Sequence, residues 1–137
     1  MKSQLAHIQF NVQPANVGYY KELLTFLGWQ PLFEQPGMIG LGGPGEVSLW
    51  FLSYELKDVS NDYDGPGMNH LALGVESIAS VDAAAAYLRE HDIEALFETP
   101  RHRAEFAGGE DQTYYQVMFK SPDNILFEIV YTGPKHS

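Results

Sequence analysis

Two histidines and one glutamate are the residues of this 137-residue chain best suited to joint chemistry. His7 and His70 each open a similar segment, HIQFNV and HLALGV, and the two segments are 63 residues apart. Glu128 lies in a strand-like segment much later in the chain. Neutral imidazole and ionised carboxylate suit zinc, nickel, manganese or ferrous iron, and the lack of cysteine argues against a soft metal. We therefore predict a divalent metal site formed by His7, His70 and Glu128.

The two histidine segments belong to a longer internal repeat. Further along, the offset becomes 64 residues and stays there, as four pairs show: Val17 with Val81, Leu24 with Leu88, Leu32 with Leu96, and Phe33 with Phe97. A fixed period over this length predicts a duplicated structural unit. Duplication places the two imidazoles in equivalent positions. Three protein ligands leave coordination positions for water or substrate, which is typical of a catalytic metal site.

Each half is predicted to contain a strand, a helix and three further strands. In the first half the strands cover residues 5–12, 29–34, 38–41 and 47–54, and a helix from residue 17 ends at Gly28. In the second half the strands cover residues 68–75, 93–98, 114–119 and 125–131. The second helix is predicted to start at Ser80 as N-cap, with Asp82 in its first turn. Residues 101–112 and the tail from Gly133 are predicted to lie outside strands.

Alternation along the strands predicts which side chains share a face. In the last strand the residues predicted to face a helix are Ile125, Phe127, Ile129 and Tyr131. Glu128 then points to the opposite face, as do His7 and His70, because apolar residues of the opening strands also take the helix side. A buried carboxylate needs a partner, since an unpaired buried charge is costly. The alternatives are that each histidine is an ordinary satisfied polar residue and that Glu128 pairs with Arg101 or Arg103.

Composition excludes several classes of function. Hydrophobic residues make up 45% of the chain, which favours one folded domain spanning residues 1–137. The formal net charge of −10 opposes binding to nucleic acid or to an anionic membrane. No apolar run approaches the roughly 18 residues of a membrane helix, and no export leader is visible, so a cytoplasmic protein is expected.

The chain resembles the vicinal oxygen chelate superfamily, which includes glyoxalase I, fosfomycin-resistance proteins, bleomycin-binding proteins and extradiol dioxygenases. The resemblance rests on the opening pair His7-Ile8, on the segment GMNHLAL at residues 67–73, and on the closing segment YYQVMFKSPDNILFE at residues 114–128. It implies an α+β fold of two pseudo-symmetric βαβββ modules, residues 1–56 and 67–132, that form a cupped mixed sheet. It also places the family's metal ligands on the same three residues, His7, His70 and Glu128.

One departure from glyoxalase I concerns a fourth metal ligand. Glyoxalase I carries a further ligand, usually glutamate, in the last strand of the first module, where this chain reads VSLWFL at residues 47–52. Ser48 is a weak candidate, and Glu46 and Glu55 lie at the ends of the segment. The missing carboxylate argues against glyoxalase I proton abstraction, which needs a base beside the metal.

The three-ligand pattern is closer to the fosfomycin-resistance enzymes and the extradiol dioxygenases. However, the late arginine that helps hold the fosfomycin phosphonate has no counterpart in this chain. A catalytic histidine of the dioxygenase type, close to the metal but not bound to it, is not evident either.

Four further residues are candidates for contact with substrate. Arg101 belongs to the basic segment PRHR, which can bind a carboxylate or phosphate or simply lie in a solvated loop. Only one of the adjacent residues Tyr114 and Tyr115 can face the metal side. We expect Tyr115 to act with Glu128 in catalysis and Tyr114 to bind substrate, with core packing as the alternative. Trp50 is expected to line an apolar pocket, or else to pack in the core.

The leading hypothesis is an enzyme that binds a small oxygenated substrate to a divalent metal through two neighbouring oxygens. Zinc or nickel would favour lyase, isomerase or transferase chemistry, and ferrous iron would favour ring-cleaving oxygenation. The alternative is a small-molecule-binding or antibiotic-binding protein of the same fold that does no chemistry. Open sheet edges suggest a homodimer, with the site formed within one chain or across two.

Overall fold

The computed structural model describes residues 1–54 and 56–136, so Glu55 lies outside the described residues. The chain divides into two compact units, Met1–Val59 and a second that begins at Ser60. Each unit contains a four-stranded mixed sheet and an α-helix in the order strand, helix, three strands. This duplicated α+β arrangement confirms the predicted fold class. Within the described residues, no helix is long and apolar enough to cross a membrane.

The first unit is built from four strands and helix α1. Its elements are β1 (His7–Asn11), α1 (Val17–Phe26), β2 (Gln30–Gln35), β3 (Met38–Gly42) and β4 (Ser48–Leu52). The strand order is β1-β4-β3-β2, with β1 parallel to β4 and the other pairs antiparallel. Gly28 ends the α1 segment as predicted, because its φ of 93° is a left-handed conformation that glycine adopts without strain.

Aromatic stacking joins α1 to the sheet of the first unit. The ring of Tyr20 on α1 stacks on Phe51 of β4 with centroids 4.3 Å apart. Phe51 also stacks on Phe10 of β1 at 5.1 Å, and all three side chains are buried. Because alternate residues of a strand point to opposite faces, this packing leaves His7 and Trp50 on the face turned away from α1.

The second unit repeats this plan. Its elements are β5 (Leu71–Gly74), α2 (Ile78–Glu90), β6 (Leu96–His102), β7 (Gln112–Lys120) and β8 (Leu126–Pro134). The strand order is β5-β8-β7-β6, and only β5 and β8 run parallel among these pairs. The turn between β7 and β8 follows the prediction, because Asn124 has a left-handed backbone with a φ of 60°. The backbone amide of Asn124 donates to the Ser121 carbonyl at 2.9 Å.

The predicted start of the second helix was wrong. Ser77 is the N-cap of α2, and its Oγ accepts a hydrogen bond from the Ser80 amide at 3.0 Å. Ser80 is therefore already inside the helix. Asp82 lies beyond the first turn and contacts Tyr115. Two serines three residues apart give similar capping signals, and only the backbone geometry decides between them.

Two predicted strand limits in the second unit were also wrong. The strand predicted over residues 93–98 runs instead from Leu96 to His102, so Arg101 and His102 lie in β6. The register shifts between Leu96 and Arg101, where Phe97 and Glu98 have positive φ values. This irregularity interrupts the alternation of apolar and polar residues by which strands are predicted from sequence. At the other end, pairing with β7 carries β8 through Pro134, so Gly133 is not a loose tail.

We predict that Gly40→Ala lowers the free energy of unfolding by about 1–3 kcal/mol, the usual cost of overpacking. A Cβ at Gly40 would lie 2.4 Å from an atom of the Trp50 ring, which rests on this part of β3. Urea unfolding measures the change. Gly18→Ala is the matched control, because a Cβ there meets nothing within 4 Å. Equal stability of Gly40→Ala and wild type would contradict the described position of Trp50.

Candidate functional site

His70 and Glu128 lie side by side in the second unit. Nε2 of His70 is 3.2 Å from Oε1 of Glu128. Glu128 projects from β8 and its side chain is only 3% exposed, whereas that of His70 is 36% exposed. His70 directly precedes β5, whose Ala72 pairs with Glu128 in parallel register. The pairing of β5 with β8 therefore brings together two residues that are 58 positions apart in sequence.

Asn69 orients the His70 ring through a hydrogen bond. Its Nδ2 donates to the Tyr63 carbonyl at 2.9 Å, which orients the amide so that Oδ1 faces His70. Nδ1 of His70 lies 2.7 Å from that oxygen. Because a carbonyl oxygen can only accept, Nδ1 must carry a hydrogen. In neutral His70, Nε2 then presents a lone pair toward Glu128.

Two acceptors that face each other need a positive group between them. If His70 is neutral, Nε2 and the Glu128 carboxylate repel unless a cation binds both; if His70 is protonated, the two form an ion pair. Zinc–ligand bonds of about 2.0–2.2 Å hold neighbouring N and O ligands roughly 3.0–3.4 Å apart. The observed separation of 3.2 Å falls in this range. The pair therefore fits two neighbouring positions of a divalent metal site.

Tyr114 completes the surroundings of the Glu128 carboxylate. Its hydroxyl donates to Oε2, the oxygen that does not face His70. Burial raises the pKa of Tyr114 to about 12, and the hydrogen bond and negative charge of Glu128 act in the same direction. The hydroxyl therefore remains a protonated donor at neutral pH. It holds the carboxylate while leaving Oε1 available to His70 or to a cation.

Tyr115 lies on the opposite face of β7 from Tyr114. Its hydroxyl donates to Oδ1 of Asp82 on α2 at 2.6 Å. Burial raises the pKa of Tyr115 to about 12, with a further contribution from its bond to Asp82. The prediction that Tyr115 acts with Glu128 does not agree with this geometry, because adjacent residues of a strand point to opposite faces. Tyr114 is the tyrosine that shares a face with Glu128.

Arg101 and Arg103 lie on the same face of the second sheet, near Gln116 of β7. Arg101 pairs with Gln116 in the β6–β7 register, and Nη1 of Arg103 donates to Oε1 of Gln116 at 3.1 Å. The alternative in which either arginine pairs with Glu128 was wrong. Arg101 instead lies 3.8 Å from Glu98, and Arg103 pairs with Glu105, whose pKa it lowers through their hydrogen bond.

Three candidate residues lie on one face of the first sheet. His7 begins β1, is exposed, and pairs with Ser48 of β4 in parallel register. Nε1 of Trp50 donates to Oγ of Ser48 at 2.9 Å, and the indole ring covers Gly40. Ser48 is thus already engaged as an acceptor. Trp50 is half-buried and lies 6.4 Å from the ring of Phe33, so the two form an aromatic surface beside the histidine strand.

The remaining first-unit candidates do not add a carboxylate to this face. Glu46 precedes β4 in a left-handed conformation, with a φ of 62°, and is exposed. Glu55 belongs to the part of the chain that the structure does not describe. Within the described residues, no three His, Asp or Glu side chains form a metal-binding group. The assignment of His7 as a third ligand stays a prediction.

Two other histidines have structural partners. Nδ1 of His91 lies 2.8 Å from the Tyr87 carbonyl, and the two rings stack. His102 contacts the Thr113 hydroxyl, and its ring lies beside Tyr115. His102 and Thr113 also line a cavity of about 990 Å³. That cavity shares no lining residue with the His70–Glu128 pair.

The sequence reasoning missed the roles of Asn69 and Gln116. Asn69 is adjacent to His70, and an amide next to a candidate ligand is a usable signal for an orienting partner. Gln116 lies two residues from Tyr114, so strand alternation alone places it on the same face. Its contact with Arg103 required knowledge of where β6 ends.

The sequence from residue 4 to residue 129 matches the family model of the Glyoxalase/Bleomycin resistance protein/Dioxygenase superfamily. The chain belongs to this superfamily. No curated protein matches the sequence significantly. The match covers both units, including His7, His70 and Glu128.

Solved structures give the same picture of the fold. A candidate glyoxalase from Bacillus halodurans is 26% identical, with a TM-score of 0.78 over 95% of this chain and 96% of that one. A glyoxalase/bleomycin resistance protein/dioxygenase domain from Frankia is 20% identical, with a TM-score of 0.73 over 99% and 96% of the two chains. A glyoxalase/bleomycin resistance protein from Albidiferax ferrireducens is 18% identical, with a TM-score of 0.72 over 94% and 99%. The last two likenesses show the fold alone.

We predict that Tyr115→Phe lowers the free energy of unfolding by about 0.5–1 kcal/mol at pH 7, the net worth of one hydrogen bond to an exposed partner. The folded-state pKa of Tyr115 is raised to about 12. Its contribution is therefore full below about pH 10, the ordinary tyrosine pKa, and is lost as the pH rises toward 12. Urea unfolding of wild type and variant from pH 7 to 11 measures the difference. A difference that grows with pH would contradict the assigned bond to Asp82.

Proposed function

We propose that this protein is a metal-dependent enzyme that acts on a small oxygenated substrate. The observation that carries the proposal is the His70–Glu128 pair, in which an oxygen of a buried carboxylate lies 3.2 Å from Nε2 of His70. In neutral His70 this nitrogen is an acceptor, because Nδ1 donates to Asn69. Zinc, nickel, manganese and ferrous iron all accept this combination of N and O ligands. His7 is the proposed third ligand, supplied by the same chain or by the partner subunit of a homodimer.

The residues around the pair have separate tasks in this proposal. His70 and Glu128 hold the cation, and Asn69 keeps the imidazole in the ligating tautomer. Tyr114 fixes the second oxygen of Glu128. When bound, the cation supplies Lewis-acid polarisation of two neighbouring substrate oxygens. Trp50 provides an apolar, flat surface for the carbon part of the substrate.

The proposed reaction class depends on which side chains of the protein can act as a base. Within the described residues, β4 (Ser48–Leu52) carries no carboxylate, and Ser48 already accepts from Trp50. The arrangement therefore lacks the additional base that glyoxalase I uses, and Glu128 is the proposed catalytic carboxylate. A lyase, isomerase or transferase acting through a metal-stabilised oxyanion is compatible with these residues. A ring-cleaving oxygenase is the form expected if the cation is ferrous iron.

Metal titration of the full-length protein tests the site directly. We expect His70→Ala and Glu128→Gln each to lower the affinity for Zn²⁺, Ni²⁺ or Mn²⁺ about 100-fold or more. The first change removes an imidazole ligand, and the second replaces a charged carboxylate oxygen with a neutral amide oxygen. Isothermal titration calorimetry and elemental analysis of freshly purified protein measure the loss. His91→Ala is the matched control, since His91 contacts Tyr87 rather than Glu128. Stoichiometric metal retained by His70→Ala would refute the site.

Asn69→Ala tests the orienting role of the amide. We expect metal affinity to fall about 10- to 100-fold, the usual effect of losing a residue that orients a ligand. Asn69→Asp keeps an acceptor for Nδ1 of His70 but loses the donor to the Tyr63 carbonyl, so it is expected to recover only part of the affinity. Equal affinity of Asn69→Ala and wild type would show that the His70 ring does not depend on this bond.

Turnover assays then decide between reaction classes. The substrates are methylglyoxal–thiol adducts, fosfomycin with a thiol, and catechols with oxygen, each with the metal that the protein binds best. Activity that requires metal and disappears in Glu128→Gln supports the proposal. Activity that persists in metal-free protein contradicts it.

A second candidate function is ligand binding without catalysis. The observation in its favour is the aromatic surface of Trp50 and Phe33, whose rings lie 6.4 Å apart on a face turned away from α1. Flat aromatic ligands stack on such surfaces. Metal-free protein that binds an aromatic drug tightly, with quenching of Trp50 fluorescence and no turnover, would favour this function over the enzyme.

A further inference from the structure

The guanidinium group of Arg101 has donors without acceptors. Within the described residues, its Nε is covered by protein yet has no hydrogen-bond partner. Its one charged contact is from Nη1 to Glu98 at 3.8 Å, which exceeds hydrogen-bond distance, and the Glu98 side chain is 90% exposed. An ion pair this open contributes little. The Arg101 side chain is 41% exposed, so its Nη donors can reach a planar or tetrahedral oxyanion from outside the chain.

The register of the second sheet aligns Arg101 with the proposed metal ligand. Glu128 pairs with Met118, and Gln116, two residues earlier on β7, pairs with Arg101. Residues that pair directly, or that are two apart on one strand, point to the same face, so Arg101 and Glu128 share a face. With strands about 4.8 Å apart, β6 lies roughly 10 Å from β8. An arginine side chain spans part of the distance between β6 and β8. One small molecule can therefore contact both Arg101 and Glu128.

Arg103 strengthens the positive character of this face and is held in place. Its Nη1 donates to the buried Gln116, and its guanidinium carbon lies 4.8 Å from the centre of the Phe106 ring. Glu105 accepts from Nε of Arg103 but is itself largely exposed. Arg101 and Arg103 are two of only three arginines in a chain with a net charge of −10. Arg101 near the end of β6 and Arg103 directly after it create a local cationic site on an otherwise acidic protein.

We propose that Arg101, supported by Arg103, binds a carboxylate or phosphate group of the substrate while its neighbouring oxygens bind at the His70–Glu128 end. The substrate class is therefore an anionic oxygenated molecule with its chelating oxygens and its charged group at opposite ends. The chelating half of this statement rests on the proposed function. The anion-binding half concerns Arg101 alone and is testable without metal.

The first experiment follows the arginine side chains in metal-free, full-length protein. Three arginines give at most three Nε–H signals in a ¹H–¹⁵N spectrum, and Arg101→Lys assigns one of them. Titration with inorganic phosphate or malonate, at constant ionic strength, is expected to shift the Arg101 and Arg103 signals and leave the Arg89 signal unchanged. Malonamide, which is neutral, is expected to shift none. Equal shifts at Arg89 would show general charge effects and would overturn the inference.

Matched variants measure the contribution of Arg101. Arg101→Lys keeps the charge but loses the fork, so we expect at least a 10-fold weaker affinity for malonate. Arg89→Lys, on the exposed end of α2, is expected to change that affinity less than 2-fold. Unchanged affinity in Arg101→Lys would overturn the inference. The backbone spectrum of each variant verifies that it is folded, and Arg101→Gln provides a second variant.

The last arm tests whether one molecule uses both ends. With metal bound, 3,4-dihydroxyphenylacetate is expected to bind at least 5-fold tighter than 4-methylcatechol, and Arg101→Lys is expected to abolish the preference. No preference in wild type would overturn assignment of the anion to the substrate. Metal affinity is expected to be unchanged in Arg101→Lys, and malonate affinity to be unchanged in metal-free His70→Ala. Loss of metal binding with intact anion binding would refute only the metal site, whereas the reverse would refute only this inference.

Discussion

The buried carboxylate of Glu128 is the constraint on which the second unit depends. A charge that is 2% exposed must be satisfied by neighbouring groups, and each of its oxygens has a different partner. The Tyr114 hydroxyl donates to one oxygen, and His70 approaches the other at 3.2 Å. The strand pairings β5–β8 and β7–β8 are what bring both partners to it. The same pairings position the residue pair proposed to bind a cation.

The orientation of the His70 ring beside Glu128 is set by two successive hydrogen bonds, the first of which is accepted by a loop carbonyl. The Tyr63 carbonyl orients the Asn69 amide, and the amide in turn determines which nitrogen of His70 carries hydrogen. In the neutral ring, the other nitrogen, Nε2, is then an acceptor that faces Glu128. On the same face of this sheet, Nε of Arg101 has no hydrogen-bond acceptor among the residues that the structure describes. The face thus combines the proposed cation site with the proposed anion site.

Several features were predictable because they depend on local pattern. Alternation indicated the face of Glu128, and the internal repeat indicated two equivalent histidines and a duplicated fold. Gly28 and Asn124 were predictable as positions that require left-handed backbone. The extent of β6 was not, because its register shift removes the apolar alternation between Leu96 and Arg101. The choice between the two adjacent tyrosines was likewise open, since alternation separates them but does not say which face each takes.

The sequence by itself determined the superfamily resemblance, the α+β class and the residue types suited to metal chemistry, because these follow from periodicity and from motifs carried by short segments. Only the tertiary structure decided which groups meet. It brought His70 to Glu128 and gave Tyr114 rather than Tyr115 to that carboxylate. It also left Nε of Arg101 without an acceptor in the described part of the chain. The physical reason is that hydrogen bonds and ion pairs act over about 3 Å. Strand register and loop conformation, which no local pattern encodes, set distances on that scale.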